Sequence, residues 1–345
     1  VAERLALGFD IGGTKIAAGV VDEDGRVLAR RVTETPSTDP TAVLDAISTI
    51  TEELRSDHHV RAIGIGAAGF VDATGSTVLF SPHLAWRNEP LRDAVARRTK
   101  LPVLVDNDAN ASGWAEWRFG AAQNEPDLVL ITLGTGIGGA VVIDGQPYRG
   151  RYGLAGEFGH MQVVPDGLPC ECGNHGCWEQ YASGRVLTRR GREAAAAGTE
   201  LGRRLLDAVG GDVDAVGGRQ VTAAAEGGDE EAVAWLAEVG DWLGVGIAGL
   251  AAALDPGVVV VGGGVSDAGE LLLGPARAAF SRALTGRGYR TEARIVRAHL
   301  GPEAGLVGAA DMARLTARRR RQASPGARVR VRAAARSGRS PRRRR

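Results

Sequence analysis

Lysine is almost absent from this chain. Lys15 and Lys100 are the only two, so nearly all of the 42 basic residues are arginine. Aromatic residues are scarce at 5%, which leaves Ala, Val, Leu and Ile to build the cores. No run of about 18 apolar residues occurs. The best candidate, residues 243–254, is short and is stopped by Asp255-Pro256, so no membrane span is expected. Cysteine is confined to Cys170, Cys172 and Cys177. Three thiols cannot all pair, and a Cys170–Cys172 bridge would close a strained loop, so a disulfide framework is excluded. The chain as given runs from Val1 straight into an expected strand with no signal-like segment. A reducing, cytoplasmic setting is therefore expected, where clustered cysteines point to metal or catalysis.

Glycine, by contrast, is abundant: 50 residues, roughly twice the usual share. Many stand beside Val/Ile runs, which suggests tight turns and close approach of backbone to a ligand. The length of 345 residues allows two domains. The net charge of +1 hides an asymmetry: residues 314–345 hold 14 arginines and no acid, and subtracting them leaves −13 for residues 1–313. Residues 318–345 have little that could form a core and are expected to be a disordered tail. An inert extension is expected there rather than a polyanion-binding arm, so no specific nucleic acid partner is expected.

All three cysteines fall in the stretch from Glu157 to Glu179, which reads Glu157-Phe158-Gly159-His160, Cys170-Glu171-Cys172 and Gly176-Cys177-Trp178-Glu179. Zn²⁺ takes four N/S ligands in a tetrahedron, and His160, Cys170, Cys172 and Cys177 supply four. With every position filled by protein, the metal would be structural. The other reading, three reduced thiols near a turn with His160 satisfied in a core, stays open. Glu171 reads as a solvated carboxylate.

Residues 5–9 and 16–21 read as strands joined by Asp10-Ile11-Gly12-Gly13-Thr14-Lys15. Residues 27–32 add a third, residues 41–54 an amphipathic helix, and residues 61–65 a buried strand ending in Gly66-Ala67-Ala68-Gly69. A strand over 101–105 leads to Asn107-Asp108-Ala109-Asn110 and a helix to Phe119. Strands over 128–133 and 140–143 flank Gly134-Thr135-Gly136-Ile137-Gly138-Gly139. Helices dominate 181–254, and a strand over 258–261 ends in Gly262-Gly263-Gly264. Alternating strands and helices mean α/β architecture. The recurrence of strand, glycine turn, strand near residues 12 and 136 suggests a duplicated fold holding a ligand between its halves.

The first turn lies between two strands, unlike a Walker loop, but its physics is related. Glycines expose backbone N–H groups to phosphate oxygens, Thr14 adds a hydroxyl and Lys15 a charge. Asp10 can hold Mg²⁺ directly or through water. Thr135 and Gly136 offer a similar cradle, and Gly262, Gly263 and Gly264 let an adenine or ribose approach the backbone. Each turn alone could be merely tight. Asp108 follows a strand end and opens a helix, the place where α/β sheets bind ligands, although Asn107 or Asp108 could equally serve as an N-cap.

These turns in this order resemble the sugar-kinase, Hsp70 and actin superfamily, and the cysteine stretch resembles the ROK family (repressors, open reading frames and kinases). The resemblance covers residues 5–313 and rests on Asp10 to Lys15, Asn107 to Asn110, Glu157 to His160 and Cys170 to Glu179. It implies a two-lobed actin-like ATPase (ribonuclease H-like) fold with duplicated sheet cores and a central cleft. The expected division is a small lobe over 1–112 plus 300–317 and a larger one over 113–299 carrying the zinc site. One departure is Ala67-Ala68-Gly69, where many members place Pro before the glycine.

The resemblance implies ATP-dependent phosphorylation of glucose at its 6-hydroxyl, with ATP and Mg²⁺ as cofactors, one structural Zn²⁺, and Asp108 as general base. It implies Gly69, Asn107 and Asp108 on one side of the sugar, near the 3-, 4- and 6-hydroxyls. Glu157, His160 and Glu179 would lie near the 1-, 2- and 3-hydroxyls, with one His160 nitrogen on zinc and the other toward the sugar. Another hexose (mannose, fructose or N-acetylmannosamine) or polyphosphate as donor remains open. Sugar-responsive regulators of the family carry a helix-turn-helix before the kinase-like fold. Here Asp10 already stands in the phosphate loop, so the kinase is expected rather than the regulator. Homodimers or homotetramers are typical of the family.

Overall fold

In the computed structural model, which describes residues 5–323, the two glycine turns occupy equivalent places in two sheets. Strands Leu5–Ile11 and Lys15–Val21 pair antiparallel around Gly12 and Gly13. Val27–Glu34 continues antiparallel outside them. On the other side Val60–Ala67 runs parallel to Leu5–Ile11, with Val103–Asn107 beyond it. The second sheet repeats this plan. Leu128–Leu133 and Ile137–Ile143 pair antiparallel around Gly134 to Gly136, with Gln146–Pro147 outside. Val258–Gly262 and Arg294–Arg297 run parallel on the other side. Strand order and direction match, so the fold is duplicated.

The strands Leu5–Ile11 and Val258–Gly262 are buried along almost their whole length, as central strands covered on both faces must be. Gly8 and Gly64 explain part of the glycine excess. A Cβ on either would lie 1.8 Å from a carbonyl oxygen, of Leu306 and Ala309 respectively, so the helix Ala304–Ala323 rests directly on backbone.

By internal packing the chain divides into two units. One comprises Val1–Gly69, Gly75–Asp106 and Leu306–Arg345; the other comprises Phe70–Thr74 and Asn107–Gly305. The break falls after Asp106 rather than at residue 112, and the chain returns at Leu306 rather than at 300. Asn107 and Asp108 therefore go with the cysteine stretch. The cause is the helix Asp108–Phe119, which packs on the second sheet so closely that a Cβ on Gly113 would stand 2.7 Å from that of Ala140.

Two further expectations are corrected. Residues 318–323 are helical, because the helix Ala304–Ala323 continues through Arg318 to Arg321. Arg, Gln and Ala are good helix formers, and the first proline stands at 325. The rest of the expected tail, residues 324–345, lies outside the described residues. The apolar segment expected at 243–254 is the end of a longer helix, Glu230–Leu254, the one helix among the described residues long and apolar enough by composition to cross a membrane. Here it is a core element. Leu236, Val239, Leu243 and Ile247 are buried, while Glu238 and Asp241 pair with Arg190 and Arg282 on its outer side.

Candidate active site

Asn107 caps the helix that Asp108 begins. Its extended backbone places Oδ1 to accept from the N–H groups of Ala109 (2.9 Å) and Asn110 (3.2 Å). With that oxygen engaged, what Asn107 can offer a ligand is its amide N–H. Asp108 Oδ1 accepts from Ala109 N–H at 2.9 Å. The carboxylate is thus oriented by its own helix, whose N-terminal dipole favours negative charge.

The other end of the same helix is pinned by a residue that sequence reasoning missed. Glu116 is fully buried and accepts from the backbone N–H groups of Ala121 (2.8 Å), His299 (3.1 Å) and Leu300 (2.7 Å). No local pattern marks it, because two of its three partners lie far along the chain.

Glu157 lies where the charges of Asp108, His160 and Glu179 all act on it, and His160 Nδ1 is 4.0 Å from Glu179 Oε1. Burial raises the pKa of Glu157 above its ordinary value. His160 opposes the shift, while the negative charges of Asp108 and Glu179 add to it. Three carboxylates and an imidazole grouped in this way can take several adjacent hydroxyls.

The cysteine stretch is a knuckle with little regular structure. Isolated bridges join Gln162 to Cys177 and Pro169 to His175. Cys170 N–H donates to Asn174 O at 2.8 Å and Gly176 N–H to Leu168 O at 2.7 Å. The ligand atoms of His160, Cys170, Cys172 and Cys177 all lie within 4.8 Å of one another. Cys172 and Cys177 sulfurs are 3.6 Å apart, and His160 Nδ1 is 3.8 Å from Cys170 Sγ. A tetrahedral zinc with Zn–S bonds of about 2.3 Å needs sulfurs about 3.8 Å apart, so the cluster fits the ion. Burial pushes the Cys177 thiol up to about 12, so a cation is what would make it a thiolate. His160 turns Nδ1 to the sulfurs, which leaves Nε2 as the nitrogen directed elsewhere.

Glu179 touches both the knuckle and the second glycine turn. Its Oε1 lies 3.3 Å from Cys170 Sγ, which donates to it, and 4.0 Å from His160 Nδ1. Its Oε2 accepts from Ile137 N–H at 3.4 Å. A Cβ on Gly136 would stand 2.4 Å from that oxygen, so a side chain there would displace the Glu179 carboxylate. Glu171 is exposed, as expected of a solvated carboxylate, and it also pairs with Arg185: Nη1–Oε1 is 2.6 Å and Nη2–Oε2 is 3.4 Å. Arg185 opens the helix Gly184–Ala197 within reach, and the fork geometry of guanidinium suits a carboxylate. Trp178 is buried against the helix Glu230–Leu254 and anchors the end of the knuckle.

Thr135 is exposed in the second turn, and Gly262, Gly263 and Gly264 follow the strand Val258–Gly262. Gly263 has a φ of +82°, and a Cβ on it would meet the Leu133 backbone. In the other unit, Gly12 O accepts from Thr35 Oγ1 and Thr14 O from Thr35 N–H, so the carbonyls of the first turn are engaged there. A Cβ on Gly13 would stand 2.5 Å from that of His83. Lys15 and Thr14 are exposed, Asp10 half-buried. Gly69 has a φ of +144°, and a Cβ there would stand 2.4 Å from Phe80 O.

The ROK family model matches residues 6–315. A glucokinase of Streptomyces coelicolor is 48% identical over 310 residues, 90% of this chain and 98% of that protein. An N-acetylmannosamine kinase of Escherichia coli is 36% identical over 85% of this chain and 97% of that protein. Among solved structures, a ROK family glucokinase from Streptomyces griseus in complex with glucose and AMPPNP is 52% identical. It covers 90% of this chain and 99% of that one, with a TM-score of 0.83.

Proposed function

The chain belongs to the ROK family, and from that premise we propose that it transfers the γ-phosphoryl group of ATP to the 6-hydroxyl of glucose, giving glucose 6-phosphate and ADP. The activity is that of a glucokinase, as in its relatives from Streptomyces. The observation that supports the site assignment is the grouping at Glu157: Asp108, His160 and Glu179 act on its charge, and Glu179 Oε1 lies 4.0 Å from His160 Nδ1.

Asp108 accepts the proton of the sugar hydroxyl and orients its oxygen for in-line attack. Phosphoryl transfer of this kind passes through a loose transition state, so positioning and charge stabilisation outweigh base strength, and an ordinary ionised carboxylate suffices. Asn107 donates its amide to the sugar on the same side, with Gly69 as a further contact. Glu157 and Glu179 accept from the sugar hydroxyls, and His160 presents Nε2 to them, Nδ1 being the nitrogen that would hold the metal. His160, Cys170, Cys172 and Cys177 would hold a zinc ion, which would supply shape alone, since four protein ligands leave no position open.

For the nucleotide, Asp10 would hold Mg²⁺, and Gly12, Gly13, Thr14 and Lys15 would take phosphate oxygens. Thr135 and Gly136 add donors, and Gly262, Gly263 and Gly264 receive the nucleoside. Support comes from Gly134 and Gly264, where a Cβ would meet nothing within 4 Å and φ is not positive. Packing does not require glycine at either place, and close approach of a ligand would. Purified protein incubated with Mg-ATP and a hexose panel tests the reading: glucose 6-phosphate is the expected product, and no turnover of glucose would refute it.

A further inference from the structure

The turn from Gly134 to Ile137 is tied at both ends to the cysteine knuckle. At one end stands Glu179, two residues after Cys177, with Oε2 accepting from Ile137 N–H at 3.4 Å. At the other, Gly184 N–H donates to Gly134 O at 2.9 Å. The next residue, Arg185, forms the two-pronged pair with Glu171, which stands between the ligands Cys170 and Cys172. Ser183 joins the two routes. Its Oγ accepts from Arg185 N–H at 3.3 Å and donates to Glu179 O at 2.6 Å. Gly184 has no side chain to hold the turn off, since a Cβ there would lie 2.7 Å from Gly134 O.

From these ties we infer that Glu171 and Arg185 are positioning residues for the nucleotide. The knuckle, by way of this ion pair, sets where the Gly134-Thr135-Gly136 turn presents its donors. Neither residue touches ATP; they act through Gly184 and Gly134. The inference rests on the reading of that turn as part of the nucleotide site. The Glu171 side chain is 75% exposed and that of Arg185 30%. Exposed pairs contribute little on their own, so the effect is expected to be modest and selective: nucleotide affinity changes and sugar affinity does not.

ADP and glucose binding, measured by calorimetry on zinc-loaded full-length protein, test it. In Glu171→Gln and Arg185→Gln, ADP affinity is expected to fall about three- to fivefold, with glucose affinity within about 1.5-fold of wild type. The double variant is expected to be no weaker than either single one, as two members of one pair require. ADP affinity equal to wild type in both single variants overturns the inference. So does a fully additive loss in the double variant, and so does an equal loss of ADP and glucose affinity, the mark of a collapsed knuckle. If the wild-type protein itself binds no ADP, the nucleotide reading falls and this inference with it. Wild-type binding with indifferent variants removes this inference alone.

Discussion

Trp178 donates from its indole Nε1 to the backbone carbonyl of Trp242, 2.8 Å away. The ring reaches that carbonyl across the surface of the helix Glu230–Leu254 at the point where Gly246 provides no side chain. Trp178 follows Cys177 and precedes Glu179, so this one contact fixes both a thiol of the cysteine cluster and the Glu179 carboxylate against the core. Tyr181 reinforces it, with its ring 4.9 Å from that of Trp242 and its hydroxyl accepting from Leu168 N–H.

Gly246→Ala places a methyl about 2 Å from an indole that has nowhere to go. Overpacking of this kind costs about 1–3 kcal/mol. A fall in Tm of about 3–10 °C is expected by calorimetry, together with weaker zinc retention against a chelator. An unchanged Tm would mean that the ring can shift.

Asp108→Asn keeps the size of the side chain and the Asn107 cap. It is expected to lower kcat by about 10²–10⁴, the range for loss of a general base, while the dissociation constant for glucose stays within about threefold. Unaltered kcat would remove Asp108 from the chemistry.

Elemental analysis of reduced, active protein is expected to find about one zinc per chain. Cys177→Ser is expected to lose the ion and lower Tm, because the knuckle has almost no regular structure to hold it otherwise. Full activity of protein shown to be free of zinc would refute the structural role.

Glu157 gives a pH-dependent test. Burial, then the neighbouring carboxylates, raise its pKa in the folded protein above the ordinary 4.5, against the pull of His160. The folded state therefore holds this proton more tightly than the unfolded one, and ionised Glu157 costs stability. That cost is absent below about 4.5 and is complete once pH has passed the raised folded value. Glu157→Gln should raise Tm at pH 7.5, with the gain shrinking as pH falls toward 4.5, and should weaken glucose binding about 10- to 100-fold. A Tm difference independent of pH would place the effect elsewhere.

The features most legible in the sequence are those written in consecutive residues. Gly12-Gly13 and Gly134-Thr135-Gly136 between apolar runs announce hairpins, and three cysteines within eight positions announce a cluster. What was not legible depends on partners distant along the chain. Glu116 finds His299 and Leu300 only after folding. Glu171 is the surface acid it looks like, but its partner Arg185 comes to it only through the helix Gly184–Ala197. The unit to which Asp108 belongs is decided by where its helix packs, and Ala140, twenty-seven residues beyond Gly113, is what holds it there. The arginines at 318–321 read as tail because charge pattern outweighed helix propensity.

The two matched sheets differ most in one place. After its outer strand Val27–Glu34, the first sheet passes through residues 35–39 to the helix Pro40–Asp57. After Gln146–Pro147, the second passes through residues 148–178, and these contain Glu157, His160 and every cysteine. In a doubled architecture this makes the metal knuckle an insert at a junction that its sister half crosses in a few residues. Such junctions accept added length at small entropic cost. On the proposed reading several sugar-contacting residues sit in this insert, so exchanging it between relatives is expected to alter the substrate while leaving both sheets intact.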